Sequence, residues 1–202
     1  MKKFFLLAAF CLTGITVTHA QRFIHGVGTG VFIDGSDRTT TKASTVLTYS
    51  PRFSFAETAN TSVSVGIPLN VGVNGSAYYV FDGYEDYYEE TSLGFMLNAP
   101  LMVNFNFGAG SSAGNKSRVG FFVGAGYGVH VGTTVYESYF FEGRYYESES
   151  HTETTTGPAG NIGIRIAVGA KKRHNIEINT FYMKGMSAHK PHIGGLTGIF
   201  NF

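Results

Sequence analysis

The chain has 202 residues, with 15 Lys and Arg against 14 Asp and Glu, 27 glycines and a single cysteine. That length fits one domain, the even charge balance lacks the basic stripe that nucleic acid demands, and a lone cysteine allows no disulfide framework. After residue 20 there is no unbroken apolar run of about eighteen residues, which excludes helical membrane spans.

Residues 1–20 read as a cleavable signal peptide. Lys2 and Lys3 form a basic start, 4–17 is largely apolar, and Thr18-His19-Ala20 offers small residues at a cleavage site. The run is too short and wrongly flanked for a membrane anchor. Cys11 follows Phe10, which is too bulky for lipoprotein cleavage, so Cys11 is a passenger of the signal. The expected mature domain is 21–202, without cysteine.

Eight strands follow, each sorting its residues with a period of two. Strand one, about 22–33, sets Val27, Thr29, Val31 and Ile33 against Gly26, Gly28 and Gly30. Strand two, about 44–56, sets Leu47, Tyr49, Phe53 and Phe55 against Thr48, Ser50, Arg52 and Ser54. Strand three, about 62–75, alternates Val63, Val65, Ile67, Leu69, Val71 and Val73 with Ser64, Gly66, Asn70, Gly72 and Asn74. Strand four, about 93–108, alternates Phe95, Leu97, Leu101, Val103, Phe105 and Phe107 with Met96, Asn98, Asn104 and Asn106. Strand five, about 119–132, is the clearest. Val119, Phe121, Val123, Ala125, Tyr127, Val129 and Val131 share one face, and Gly120, Phe122, Gly124, Gly126, Gly128, His130 and Gly132 the other. Strand six, about 158–170, opposes Ile162, Ile164, Ile166 and Val168 to Asn161, Gly163, Arg165 and Gly169. Strand seven, about 175–185, opposes Ile176, Ile178 and Tyr182 to Glu177 and Asn179. Strand eight, about 191–202, keeps Leu196, Phe200 and Phe202 on one parity.

A soluble sheet would not turn a row of glycines and asparagines to water. The pattern fits an apolar face in lipid and a small or polar face filling a narrow barrel. A secreted sandwich or lipocalin-like barrel is the fold-level alternative. Pro51, Pro68 and Pro100 interrupt strands and lead to an expectation of local bulges. Connections after strands two, four and six are compact; those near 76–92 and 133–157 are long. In bacterial outer-membrane barrels the short turns are periplasmic and the long loops external. An even strand number then puts both termini in the periplasm.

This pattern, spread over the whole mature chain, resembles the small bacterial outer-membrane β-barrel domain family of the OmpA/OmpX type. The resemblance implies an all-β, eight-stranded antiparallel up-and-down transmembrane barrel that contacts outer-membrane lipid. It also implies handling by the outer-membrane assembly machinery through a C-terminal signal, here Leu196, Phe200 and Phe202; the glycine usual in that signal would fall at Thr197. It brings no catalytic residue and no cofactor.

Three groups of residues could carry function. Arg52, Arg165 and Glu177 share the inward parity, where charges avoid a cost of roughly 2–4 kcal/mol at the bilayer midplane and pair in a packed lumen. They read as a structural polar network, with Arg52 and Glu177 the first pair expected. The two long connections hold ten of the fourteen acidic residues and nine of the twelve tyrosines. Tyr79, Tyr84, Tyr87, Tyr88, Tyr139, Tyr145 and Tyr146 form a candidate interaction surface, since tyrosine supplies contact area with a polar handle. A two-residue turn at Glu142-Gly143 would pair Tyr139 with Tyr146, whereas Asp82-Gly83 needs a bulge or a longer turn. Glu85, Asp86, Glu89 and Glu90 match no EF-hand spacing, and no metal site is expected. Ser187 and His189 are the nearest nucleophile–base pair, too weak a signal to make an enzyme.

The reading is an integral outer-membrane barrel with a structural or surface-interaction role, expected to be a monomer with an unidentified extracellular partner. A narrow small-solute channel and a lipid-modifying acyl enzyme are the alternatives. The mature chain should stay folded only in an amphiphile and show heat-modifiable migration on a gel. A monodisperse folded species in plain buffer would overturn the assignment of the apolar parity to lipid.

Overall fold

The structure is a computed structural model that describes residues 21–36, 39–80, 88–135, 140–141, 144–145, 150–170, 172–188 and 190–202. Every regular element among them is a strand. Eight strands form the wall: β1 (Arg22–Ile24 and Gly26–Ser36), β2 (Thr39–Tyr49 and Arg52–Phe55), β3 (Thr61–Gly66 and Leu69–Val80), β4 (Tyr88–Gly108), β5 (Val119–Val135), β6 (Ser150–Val168), β7 (His174–Lys184) and β8 (His192–Asn201). Each pairs antiparallel with its sequence neighbours, and β8 returns to β1. The closing seam runs from His192↔Gly35 to Asn201↔Gly26. It is extended by reciprocal bonds between the backbones of His25 and Phe202, at 2.9 and 3.2 Å.

The register fixes the tilt. A circuit of paired residues runs Ile24, Arg52, Gly66, Met102, Gly126, Ala159, Met183, Ile193 and back to Asp34, ten residues above its start. This stagger inclines the strands to the barrel axis, which an eight-stranded closure requires. The interior left by eight strands is just wide enough for side chains.

Alternation then divides the residues. Leu47 (72 % exposed), Ile162 (61 %), Phe121 (57 %) and Val123 (52 %) face outward, while Phe122 (2 %), His130 (2 %) and Glu177 (2 %) face inward. At the end with short connections, outward phenylalanines gather in contact: Phe53 with Phe55 (6.4 Å between rings), Phe105 with Phe107 (4.6 Å) and Phe200 with Phe202 (6.3 Å). Nearer the other end, Tyr127 and Tyr182 turn their hydroxyls to Thr156 Oγ1 (3.2 Å) and His192 Nδ1 (2.6 Å). Outward apolar flesh bounded by aromatic groups is the surface of a transmembrane barrel.

The prolines do not produce bulges. Pro51 and Pro68 break their ladders, at Ser50-Pro51 and Ile67-Pro68, but the pairing register is the same on both sides of each break. The two breaks lie opposite one another, and the Ile67 amide still donates to the Pro51 carbonyl at 3.3 Å across them, so register is kept and no residue has to be inserted. Pro100 sits inside the continuous β4, its ring buried and opposite Gly128, again with register kept. The one register shift among the described pairs lies between Asp34 and Ser36, beside the first hairpin connection.

Two hairpins outgrow the rest. β3 and β4 stay paired to Val80↔Tyr88, leaving residues 81–87 as their connection, longer than a two-residue turn. β5 and β6 stay paired to Val135↔Ser150. Beyond them Phe141↔Arg144 and Phe140↔Tyr145 pair with two residues between, the register of a turn at Glu142-Gly143. Replacing Val123, which lies between Phe105 and Ile162 on the outward face, by arginine should lower the unfolding free energy in vesicles by about 2–4 kcal/mol. Urea titration of the refolded chain measures it, and an unchanged midpoint would contradict a lipid-facing Val123.

Candidate functional site: the lumen and the barrel ends

The inward row is built in layers. At the short-connection end, cross-strand pairing of Arg165 on β6 with Glu177 on β7 sets the two side chains side by side. Arg165 Nε donates to Glu177 Oε2 at 2.8 Å, and Arg52 Nη1 from β2 donates to the same oxygen at 2.6 Å. One carboxylate thus serves two guanidinium groups, and asparagines take one further donor from each, while Arg52 Nε stays buried without a partner. Arg165 Nη1 donates to Asn106 Oδ1 (2.7 Å) and Arg52 Nη2 to Asn201 Oδ1. Asn201 Nδ2 in turn donates to Asn175 Oδ1 (2.7 Å) and Glu177 Oε2 (3.2 Å). Asn106 Nδ2 reaches Ser64 Oγ at 3.0 Å. The Arg165 guanidinium also lies 4.5 Å from the centroid of the Phe122 ring. That ring occupies the space over Gly163, where a Cβ would come within 2.4 Å of it; glycine is required there for steric reasons.

An apolar layer follows toward the long-hairpin end. Met102, Met183 and Ile193 are wholly buried with Phe32, Val46, Met96 and Phe181. The Phe32 and Phe181 rings lie 5.7 Å apart. Phe32 fits because Gly195 has no Cβ to meet its ring. The sequence reading named Met96 and Phe122 as the only large apolar residues on an otherwise small or polar inward face, so an apolar layer at this level is a correction. Its members were visible at inward positions, but the hydropathy of single residues does not show that they meet across a bore. Above it, His130 Nε2 lies 3.0 Å from Asp34 Oδ2, a pair that the sequence reading missed.

The lumen is packed with side chains at the levels of the Glu177 network and the Met/Phe layer. A wetted bore would expose the inward row, yet Arg52, Arg165, Glu177, Asn98, Met102 and Met183 are 0–5 % exposed. The packing is not complete: Asn104, Asn161 and Asn179 each keep a buried side-chain oxygen without a partner.

The remaining candidate residues lie apart from this network. Leu196, Phe200 and Phe202 face outward, 56, 42 and 52 % exposed. Tyr79 pairs with Glu89, Tyr88 with Val80 and Tyr145 with Phe140 along the hairpin ladders. Tyr84, Tyr87, Tyr139 and Tyr146 lie outside the described residues, as do Glu85, Asp86 and His189. Ser187 keeps a buried hydroxyl without a partner, and its amide donates to Thr155 Oγ1 (3.3 Å). Among the described residues no three His, Cys, Asp or Glu side chains are grouped to hold a metal.

Solved structures share this architecture. Ail, the attachment invasion locus protein of Yersinia pestis, aligns with a TM-score of 0.54 at 11 % identity, over 91 % of this chain and 99 % of that one. Neisserial surface protein A aligns with a TM-score of 0.54 at 9 % identity, over 91 % and 98 %. A second Ail structure, in complex with the heparin analogue sucrose octasulfate, gives the same TM-score of 0.54 at 11 % identity. No family model and no curated protein sequence matches the chain. The likeness is one of fold: the chain has the eight-stranded barrel of the small outer-membrane proteins of the OmpA/OmpX type.

Removing the shared carboxylate while keeping its size, Glu177→Gln, leaves two buried guanidinium groups without a counter-charge. Urea unfolding in detergent should show a loss of about 3–5 kcal/mol. The triple replacement Arg52→Met, Arg165→Met, Glu177→Met should be near neutral or stabilising. Equal losses in both variants would show that the network is held by something other than charge pairing.

Proposed function

We propose that the chain is an integral protein of a bacterial outer membrane. In this reading it strengthens the envelope or engages a partner through its two tyrosine- and acid-rich hairpins, with both termini periplasmic. Residues 1–20 serve as its export signal, and Leu196, Phe200 and Phe202 as the segment read by the assembly machinery. Arg52, Arg165 and Glu177 act as a structural plug.

The observation that carries this reading is the contrast between a lumen packed with side chains and hairpins prolonged beyond the other strand ends. A solute channel finds no wetted path past the Glu177 network and the Met/Phe layer. Surface not committed to lipid or core is then concentrated at the barrel ends, and the hairpins offer its largest share.

Ail has been seen with a heparin analogue, a polyanion. The hairpins here are rich in carboxylates, which would repel such a ligand. Their charge complements a cationic protein surface instead, with tyrosine supplying the contact area. Cells displaying the chain should adhere to immobilised poly-lysine in a salt-dependent way and not to heparin. A variant with both hairpin tips replaced by short glycine–serine links should lose that adhesion. Unchanged adhesion by the variant would overturn the hairpin assignment.

A further inference from the structure

The even formal charge hides a separation along the barrel axis. Among the described residues, the short-connection end carries Arg22, Lys116, Arg118, Lys172 and Arg173 against one carboxylate, Glu57. The Glu57 side chain is 3 % exposed and lies 3.8 Å from Arg22 Nε. By sequence, the strand ends and connections belonging to the other end hold twelve of the fourteen carboxylates and five Lys and Arg.

The cations are not spread evenly around the short-connection rim. Lys116 and Arg118 precede β5, and Lys172 and Arg173 precede β7, on connections that lie next to each other. The Arg118 carbonyl accepts the Ala167 amide at 2.8 Å, and Lys172 Nζ donates to the Lys116 carbonyl. This fixes the spacing of the two connections. Lys116, Arg118 and Arg173 are exposed, and none of these four cations has a carboxylate within ion-pair distance among the described residues.

Directly beside this cationic row begins the outward apolar band: Val119 (50 % exposed), Phe121 (57 %), Ile166 (44 %) and Ile176 (44 %). His174 marks the border, its ring 5.7 Å from that of Phe200. Fixed positive charge at the edge of a hydrocarbon-facing surface matches a molecule with acyl chains and an anionic head. A soluble anion would use the row but not the band. Lys and Arg near an anionic lipid surface each add attraction that decays within a Debye length, so the row acts only close to the lipid, and Arg118 and Arg173 directly precede β5 and β7.

We propose that this rim, formed by Lys116, Arg118, Lys172 and Arg173, is a binding surface for anionic glycerophospholipid headgroups in the leaflet at the short-connection end. The proposal rests on the membrane-barrel reading above. It gives the unpaired cations a counter-charge and holds the barrel at a defined depth.

The test uses the full mature chain refolded in phosphatidylethanolamine vesicles containing a minor fraction of phosphatidylglycerol. Lipid retained after extraction is counted by native mass spectrometry. The wild-type chain should be enriched in phosphatidylglycerol, and high salt should erase the enrichment. The variant K116Q/R118Q/R173Q, which leaves the Lys172 tie in place, should lose the enrichment by about tenfold. The variant K184Q/K190Q, at the other end, should keep it. No enrichment in the wild type, or equal enrichment in K116Q/R118Q/R173Q, overturns the proposal. Heat-modifiable migration reports folding of each variant, and R118Q and R173Q singly replace the triple variant if it does not fold. Orientation is read separately: labelling of Ser112→Cys in intact cells by a membrane-impermeant maleimide would overturn the periplasmic placement of this end, whatever the lipid result.

Discussion

A strand set in hydrocarbon must find a partner for every amide and carbonyl, because no water is there to supply one. In this chain that requirement is met by the seam between β8 and β1, from Gly35 and His192 down to His25 and Phe202. Without the seam, two long edges would face lipid unpaired. The ten-residue stagger from Ile24 to Asp34 is the geometric form of this closure. It sets the strand tilt and the width of the bore. Even the proline breaks obey it: Ser50-Pro51 and Ile67-Pro68 lie opposite each other with the register unchanged, and the Ile67 amide still reaches the Pro51 carbonyl.

The narrow bore explains the interior. Eight strands leave room for side chains but not for a column of water. Polar groups that turn inward must therefore bond to one another. Glu177 binds both Arg52 and Arg165, and Asn106 and Asn201 each take one further donor, leaving Arg52 Nε unbonded. Such a network has little value for stability beyond what packed apolar residues would give. Its position at one end, with the Met/Phe layer at the other, closes the barrel by two different chemistries. The rims differ in composition: carboxylates and tyrosines are concentrated by sequence in the two long connections, and Lys116, Arg118, Lys172 and Arg173 lie beside the phenylalanines of the opposite end.

Much of this was legible in the residues. The period of two from Val119 to Gly132 assigns faces without knowledge of any contact, because a strand has only two. The same rule placed Arg52, Arg165 and Glu177 inward, and hairpin parity agrees with the two-residue spacing between Phe141 and Arg144 and with the longer spacing between Val80 and Tyr88. What parity could not supply is which inward residues share a level. Arg165 meets Glu177 by direct cross-strand pairing, but Asn106 is 59 positions from Arg165 and Asn201 is 149 from Arg52. The apolar layer escaped notice for that reason, as did the Asp34–His130 pair.

By itself, then, the order of residues determined the strand number, the two faces and the inside-out distribution of apolar side chains, since these follow from a local repeat and from the cost of polar groups in lipid. The stagger of the closed sheet decided the rest: which side chains meet across the bore, that the bore is packed with them, and that the prolines keep register without a bulge. Those depend on sums of offsets around eight strands, a property of the closed ring that no single segment contains.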